Sequence, residues 1–215
     1  EGLKELAQVM KKNGAKAIVQ IHHGGAQALP ELTPDGDVVA PSAISLKSFG
    51  QQKEHDAREM TAEEIEQTIR DFGEATRRAI EAGFDGVEIH GANHYLIHQF
   101  VSPYYNRRND VWADNYKFPV AVIDEVVKAK KAHANDDFII GYRLSPEEAE
   151  SPGISMEITE ELIHQIANKP LDYIHVSLMD VNSVTREGKY KGENRLELIH
   201  QWINGRMPLI GIGSV

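Results

Sequence analysis

GFDGVEIHGANHYLIHQFVSPYYNRR, residues 83 to 108, is the stretch on which the fold turns. Gly83 closes a helical pattern, Gly86-Val87-Glu88-Ile89 is a short strand-like run, and Gly91 breaks that run straight afterwards. His90 therefore falls at the carboxyl end of a strand, with Asn93 and Tyr95 in the loop beyond it. In parallel α/β architectures chemistry collects at that end, because the loops there vary while the strands beneath hold them rigid. Three side chains able to donate a hydrogen bond or a proton to one small ligand make this loop a candidate site.

Outward from this stretch, helix-period and strand-like segments alternate with no linker between them, which implies βα units around a parallel sheet. The spacing predicts helices over Gly2–Asn13, Thr61–Ala82, Asn115–His133, Thr159–Lys169 and Asn194–Asn204. The second is the best defined. Ile65, Ile69, Phe72, Ala75 and Ala79 share one face, and Thr61 with Glu64 three residues on forms a capping box. Predicted strands are Lys16–Ile21, Gly86–Ile89, Phe138–Leu144, Tyr173–Ser177 and Leu209–Ile212.

Five strands with covering helices fit either an open doubly wound sheet or a TIM (β/α)8 barrel. Gln20, His90, Arg143, Ser177 and Gly213 fall near the carboxyl ends of five different strands. An open sheet gathers ligands at one switch point, whereas a barrel draws on every strand, so the barrel is favoured. A complete barrel needs about 250 residues and eight strands. This chain has 215, opens on a helix and stops at the end of a strand. It reads as an incomplete barrel lacking the first and last strands, with residues 1–215 the central portion of a single domain.

Composition narrows the partners. The chain is 41% hydrophobic and 26% charged, which suits one globular domain with a real core. Lys and Arg total 23 against 33 Asp and Glu, a formal charge of −10, and no basic cluster offers a footprint for nucleic acid. No apolar run approaches the roughly 20 residues of a membrane span, and the first residues form an amphipathic helix unlike a signal peptide. With no cysteine, the chain has no disulfide, thiolate nucleophile or cysteine-held metal, and a cytoplasmic location is expected.

The ordered blocks GAKAIVQIHHGG (14–25), APSAI (40–44), REMTAEEIEQTIRDFGEATRRAIEAGFDGVEIHGAN (58–93), YLIHQFVSPYYNRRND (95–110), GYRLSP (141–146) and PLIGIGSV (208–215) together resemble the Old Yellow Enzyme family of FMN-dependent NADH:flavin oxidoreductases and ene-reductases. The resemblance runs nearly end to end. It implies a TIM barrel with FMN across its carboxyl face, reduced by NADH or NADPH and reoxidised by an electron-poor alkene or similar small molecule. It also implies roles by position. Gln20 matches the glutamine on the flavin's pyrimidine edge, and Arg143 the cation beside its N1 and O2. His90 and Asn93 match the pair that hydrogen-bonds the substrate's activating carbonyl, and Tyr95 the proton donor. Gly213 and Ser214 match the start of the phosphate-binding loop. A phenol keeps its proton at neutral pH and can serve as a general acid.

Two departures stand out: His94 occupies a position that is usually glycine, and VWADNYKFP (111–119) replaces the family's YGGS stretch. His22 and His23 read as rim residues, and Ser177 reads equally as a loop cap. Two other classes of function compete. A metal-dependent barrel hydrolase could use His22, His23, His90, His94 or His98, with His90/His94 and His94/His98 at i,i+4 spacing. No HxH pair lies on one strand and no strand-end aspartate accompanies these histidines, so no metal is expected. A non-catalytic barrel fragment is the third class; its open sheet edges predict a homo-oligomer or aggregation.

Overall fold

The computed structural model describes residues 1–214. Helix α1 (Gly2–Lys11) leads to strand β1 (Ile18–Ile21), and a long excursion follows that holds β2 (Val39–Ala40), β3 (Ile44–Leu46) and β4 (His55–Glu59). The remaining elements alternate: α2 (Ala62–Ala82), β5 (Gly86–Gly91), α3 (Leu96–Val101), α4 (Lys117–His133), β6 (Ile139–Leu144), α5 (Met156–Ile166), β7 (Tyr173–Asp180), α6 (Arg195–Ile203) and β8 (Leu209–Ser214). Five strands form one sheet in the order β1-β5-β6-β7-β8, every neighbouring pair parallel. The α/β class and the five expected strands are present.

The local signals act as elementary chemistry requires. Thr61 accepts from the Glu64 backbone N–H while the Glu64 carboxylate accepts from the Thr61 N–H, so two orphan donors at the start of α2 are satisfied. Gly83 stops that helix at φ 87°, a left-handed conformation open to glycine at no steric cost. One face of the sheet is covered by helices and carries Val87, Ile89, Ile140, Tyr142, Leu144, Ile174 and Val176, all fully buried or nearly so. The opposite face carries Gln20, Glu88, His90, Arg143, Tyr173, His175 and Ser177, because side chains alternate along each strand and parallel register puts paired residues side by side. At β8 the same face presents Ile210 and Ile212, both exposed.

Three corrections to the expected elements follow. Strand β5 runs on to Gly91, so His90 lies within the ladder opposite Arg143 instead of beyond it. Helix α5 begins at Met156, three residues before Thr159, because the Ser155 side chain accepts from the Ile158 N–H and caps it there. The excursion after β1 builds a separate three-stranded sheet, β2-β4-β3, over its own small cluster of Ala26, Val38, Ala40 and Ala57. Arg107 and Arg108 pin it to the main body by donating to the Ala43, Pro41 and Met60 carbonyls.

Candidate active site

His90 is buried at 5% exposure, and its ring makes an edge contact with Tyr95 at 5.0 Å between centroids. His22 completes an aromatic triangle, 5.0 Å from Tyr95 and 5.8 Å from His90. Nδ1 of His90 accepts the Ala92 backbone N–H at 3.2 Å, which fixes the ring proton on Nε2 and makes that nitrogen a donor. Burial, and then the Arg143 charge, lower the His90 pKa to about 4. The ring is therefore a neutral donor at physiological pH.

Asn93 sits in the left-handed region at φ 56°, followed by His94 at φ 60°. Its backbone N–H donates to Ser145 Oγ at 2.9 Å, and its Oδ1 accepts from Ser145 and Ser177 at 3.3 and 3.0 Å. With the oxygen engaged twice, the amide NH2 is the end left to a ligand. Ser177 also accepts from Arg143 Nη2 at 3.0 Å. One hydroxyl thus joins a cation on β6 to the amide beyond β5, a role that its reading as a loop cap did not foresee.

Below this layer lies a second polar cluster, centred on Glu88. Its Oε2 accepts from Gln20 Nε2 at 2.5 Å, and its Oε1 from Tyr173 at 3.0 Å and His175 at 2.8 Å. Burial alone would raise the Glu88 pKa, but the hydrogen bonds from His175 and Gln20 outweigh it and lower it. Tyr173 reaches Glu88 across β6 because residue 141 is glycine: a Cβ there would lie 2.1 Å from the phenol ring. Gln20 is exposed, and with its amide nitrogen committed to Glu88 it turns its carbonyl elsewhere.

The structure brings His90, Asn93, Tyr95 and Arg143 together and sets Gln20 in the layer beneath them. Gly213 and Ser214 stand apart at the end of β8. A Cβ on Gly213 would come within 2.9 Å of the Leu178 carbonyl, and Ser214 Oγ donates to the Met179 carbonyl at 2.9 Å. A cleft of about 670 Å³ opens over the site, lined by Asn93, His94, Tyr95, Ser145 and Ser177, with Phe49 from the excursion and Met179 from β7. Phe49 contacts His94 and Tyr95 edge-on at 6.1 and 6.4 Å. Glu88, Phe49 and Ser145 carried no sequence signal of their own; a carboxylate on a buried strand was the one available hint.

A parallel sheet with a neutral imidazole, an amide, a phenol and a half-buried guanidinium gathered at its strand ends has the make-up of a βα oxidoreductase site. The model of the NADH:flavin oxidoreductase / NADH oxidase family matches residues 1–215, and the chain belongs to that family, the Old Yellow Enzymes. It is 51% identical over 218 residues to a probable NADH-dependent flavin oxidoreductase, YqiG, of Bacillus subtilis (strain 168), covering all of this chain and 57% of that protein. It is 41% identical over 221 residues to the NADH:acrylate oxidoreductase of Vibrio harveyi, of which it covers 22%. Among solved structures, morphinone reductase in complex with tetrahydroNAD matches at a TM-score of 0.77 and 26% identity, over all of this chain and 60% of that one. The chain thus spans 57% of the length of the Bacillus relative and 22% of the Vibrio protein.

Proposed function

We propose that the chain is the central part of an FMN-binding TIM barrel that passes hydride from NADH or NADPH, through the flavin, to an electron-poor alkene or similar small acceptor. The observation that carries the reading is the convergence of three donors: the fixed Nε2–H of His90, the uncommitted amide NH2 of Asn93, and the Tyr95 phenol packed against His90. Acrylate, named in the Vibrio relative, is an electron-poor alkene of this kind. The barrel reading draws support from the all-parallel sheet, whose polar face ends in exposed Ile210 and Ile212 at one edge strand and exposed Gln20 at the other. That face lies where a closing barrel would bury it.

The residues present suit FMN. Arg143 has a buried Nε–H with no hydrogen-bond partner among the described residues, a donor that the anionic edge of a reduced isoalloxazine satisfies. Gln20 turns a carbonyl away from Glu88. Bound FMN supplies the two-electron exchange between nicotinamide and acceptor. His90 and Asn93 hold the acceptor's carbonyl oxygen and stabilise the charge that develops on it, and Tyr95 delivers a proton to the neighbouring carbon. The reading includes a small-molecule partner and a cytoplasmic setting.

FMN titration followed by flavin fluorescence is the first test, with saturable one-to-one binding expected. Half-reactions measured separately on Tyr95→Phe are the second. Reduction by NAD(P)H should proceed normally while alkene reduction falls by at least about 100-fold, the usual size of a general-acid contribution. Unchanged alkene reduction would remove Tyr95 as proton donor.

A further inference from the structure

Beside the reducing site, and independent of any flavin, lies a cluster that the proposed chemistry does not use. His94 and His98, four residues apart, converge with Glu148 from the loop after β6, and one ligand atom from each lies within 4.8 Å of the others. Glu148 Oε2 is 2.7 Å from His98 Nε2 and 3.6 Å from His94 Nδ1. The other oxygen, Oε1, accepts from Ser102 Oγ and from the Ile154 N–H, so the carboxylate is already oriented with one oxygen toward both imidazoles. Outer-shell donors of this kind fix the ligands of protein metal sites.

Polar capacity in the cluster is unmet. Glu148 is fully buried and His98 is 1% exposed; Nδ1 of both histidines and Oε2 of the neighbouring Glu150 are buried without a hydrogen-bond partner among the described residues. Neither Glu148 nor the neighbouring Glu150 forms an ion pair with Lys or Arg among the described residues. An ion about 2.1 Å from each donor needs donors within roughly 4.2 Å of one another. Both distances to Glu148 satisfy this.

We propose that His94, His98 and Glu148 form a binding site for a divalent transition metal of the zinc class, with a fourth position left for water on the side where His94 meets the cleft. Two imidazoles and one carboxylate are a ligand set suited to Zn2+, and the absence of sulfur ligands disfavours Cu+. The ion would tie the loop after β5, which carries Asn93 and Tyr95, to the loop after β6.

Zn2+ titration by calorimetry on the full chain, after removal of metal with a chelator, tests this, alongside melting curves with and without Zn2+. One equivalent should bind, with a rise in melting temperature. His94→Ala should weaken binding by more than about tenfold, the loss that even an outer-shell partner causes. Because loss of a buried carboxylate could unfold the chain, Glu148→Gln, which keeps an acceptor for Ser102 and Ile154, provides the second variant and should bind as weakly. Absence of stoichiometric Zn2+ binding by the parent chain would reduce the cluster to a closed His98–Glu148 hydrogen bond. Equal binding by the parent and both variants would place the ion on other histidines; either result overturns the proposal.

Discussion

Replacing Glu88 by glutamine keeps shape and volume but turns one of two carboxylate acceptors into a donor. Glu88 receives three hydrogen bonds: two at Oε1, from Tyr173 and His175, and one at Oε2, from Gln20. The glutamine satisfies the first two if its oxygen takes the Oε1 position, and its NH2 then faces the NH2 of Gln20. Gln20 must rotate its amide, presenting nitrogen where it now presents oxygen. A mismatched buried hydrogen bond costs about 1–3 kcal/mol. Gln20 is exposed, so the lower part of the range applies, about 1–2 kcal/mol, or roughly 5- to 30-fold in a dissociation constant at tenfold per 1.4 kcal/mol. FMN titration of parent and Glu88→Gln chains measures it directly, with circular dichroism to show that both are folded. Gln20→Ala and the double variant complete a cycle: if Glu88 acts through Gln20, its effect should vanish when Gln20 is gone. A folded Glu88→Gln chain with parental FMN affinity would refute the link between this cluster and the flavin edge.

Acid should destabilise the chain through His90. Its pKa in the fold is about 4 against an ordinary 6.5, so the unfolded chain binds the extra proton between those values. Stability is complete above pH 6.5 and falls as pH drops toward 4, by at most about 3 kcal/mol at 1.36 kcal/mol per unit; urea midpoints at pH 7 and 5 should differ, and less so in His90→Gln. Gly141→Ala should cost about 1–3 kcal/mol by overpacking against Tyr173, visible as a lower melting temperature, and Tyr173→Phe should not relieve it because the ring itself is struck. Ser177→Ala removes the hydroxyl between Arg143 and Asn93 and should weaken binding of a carbonyl-bearing acceptor by about 0.5–1.5 kcal/mol, read by flavin difference spectra. Unaltered acceptor affinity would show that Asn93 is held well enough by Ser145 alone.

What the sequence disclosed follows from range. Helix α2 was legible because its cap, its apolar face and its Gly83 stop lie within one short window, and those local choices agree with the packing. The alternation of elements and the strand-end residues were legible for the same reason. The β2-β4-β3 sheet was not, because its strands are two to five residues long and depend on Arg107 and Arg108 donating from more than 40 residues away. Glu148 was equally hidden: the His94/His98 pair has helical spacing, but the carboxylate between them comes from 50 residues further on. The start of α5 was a different kind of miss, since Ser155 stood in the sequence as an available cap. The roles of Gln20 and Arg143 came from resemblance to a family, whereas their hydrogen-bond partners Glu88 and Ser177 emerged from register, which no local pattern encodes.

The small sheet after β1 shares no strand pairing with the main sheet and has its own apolar cluster, yet it delivers Phe49 to the mouth of the cleft. Under the proposed function, acceptor choice and hydride transfer would therefore draw on different elements of the fold. The hydrogen bonds that hold His90, Asn93 and Arg143 come from Ala92, Ser145 and Ser177, none of them in the segment around Phe49. Under the proposed function, an engineer seeking a different acceptor would begin at residues 46–54, the visor that brings Phe49 over the cleft.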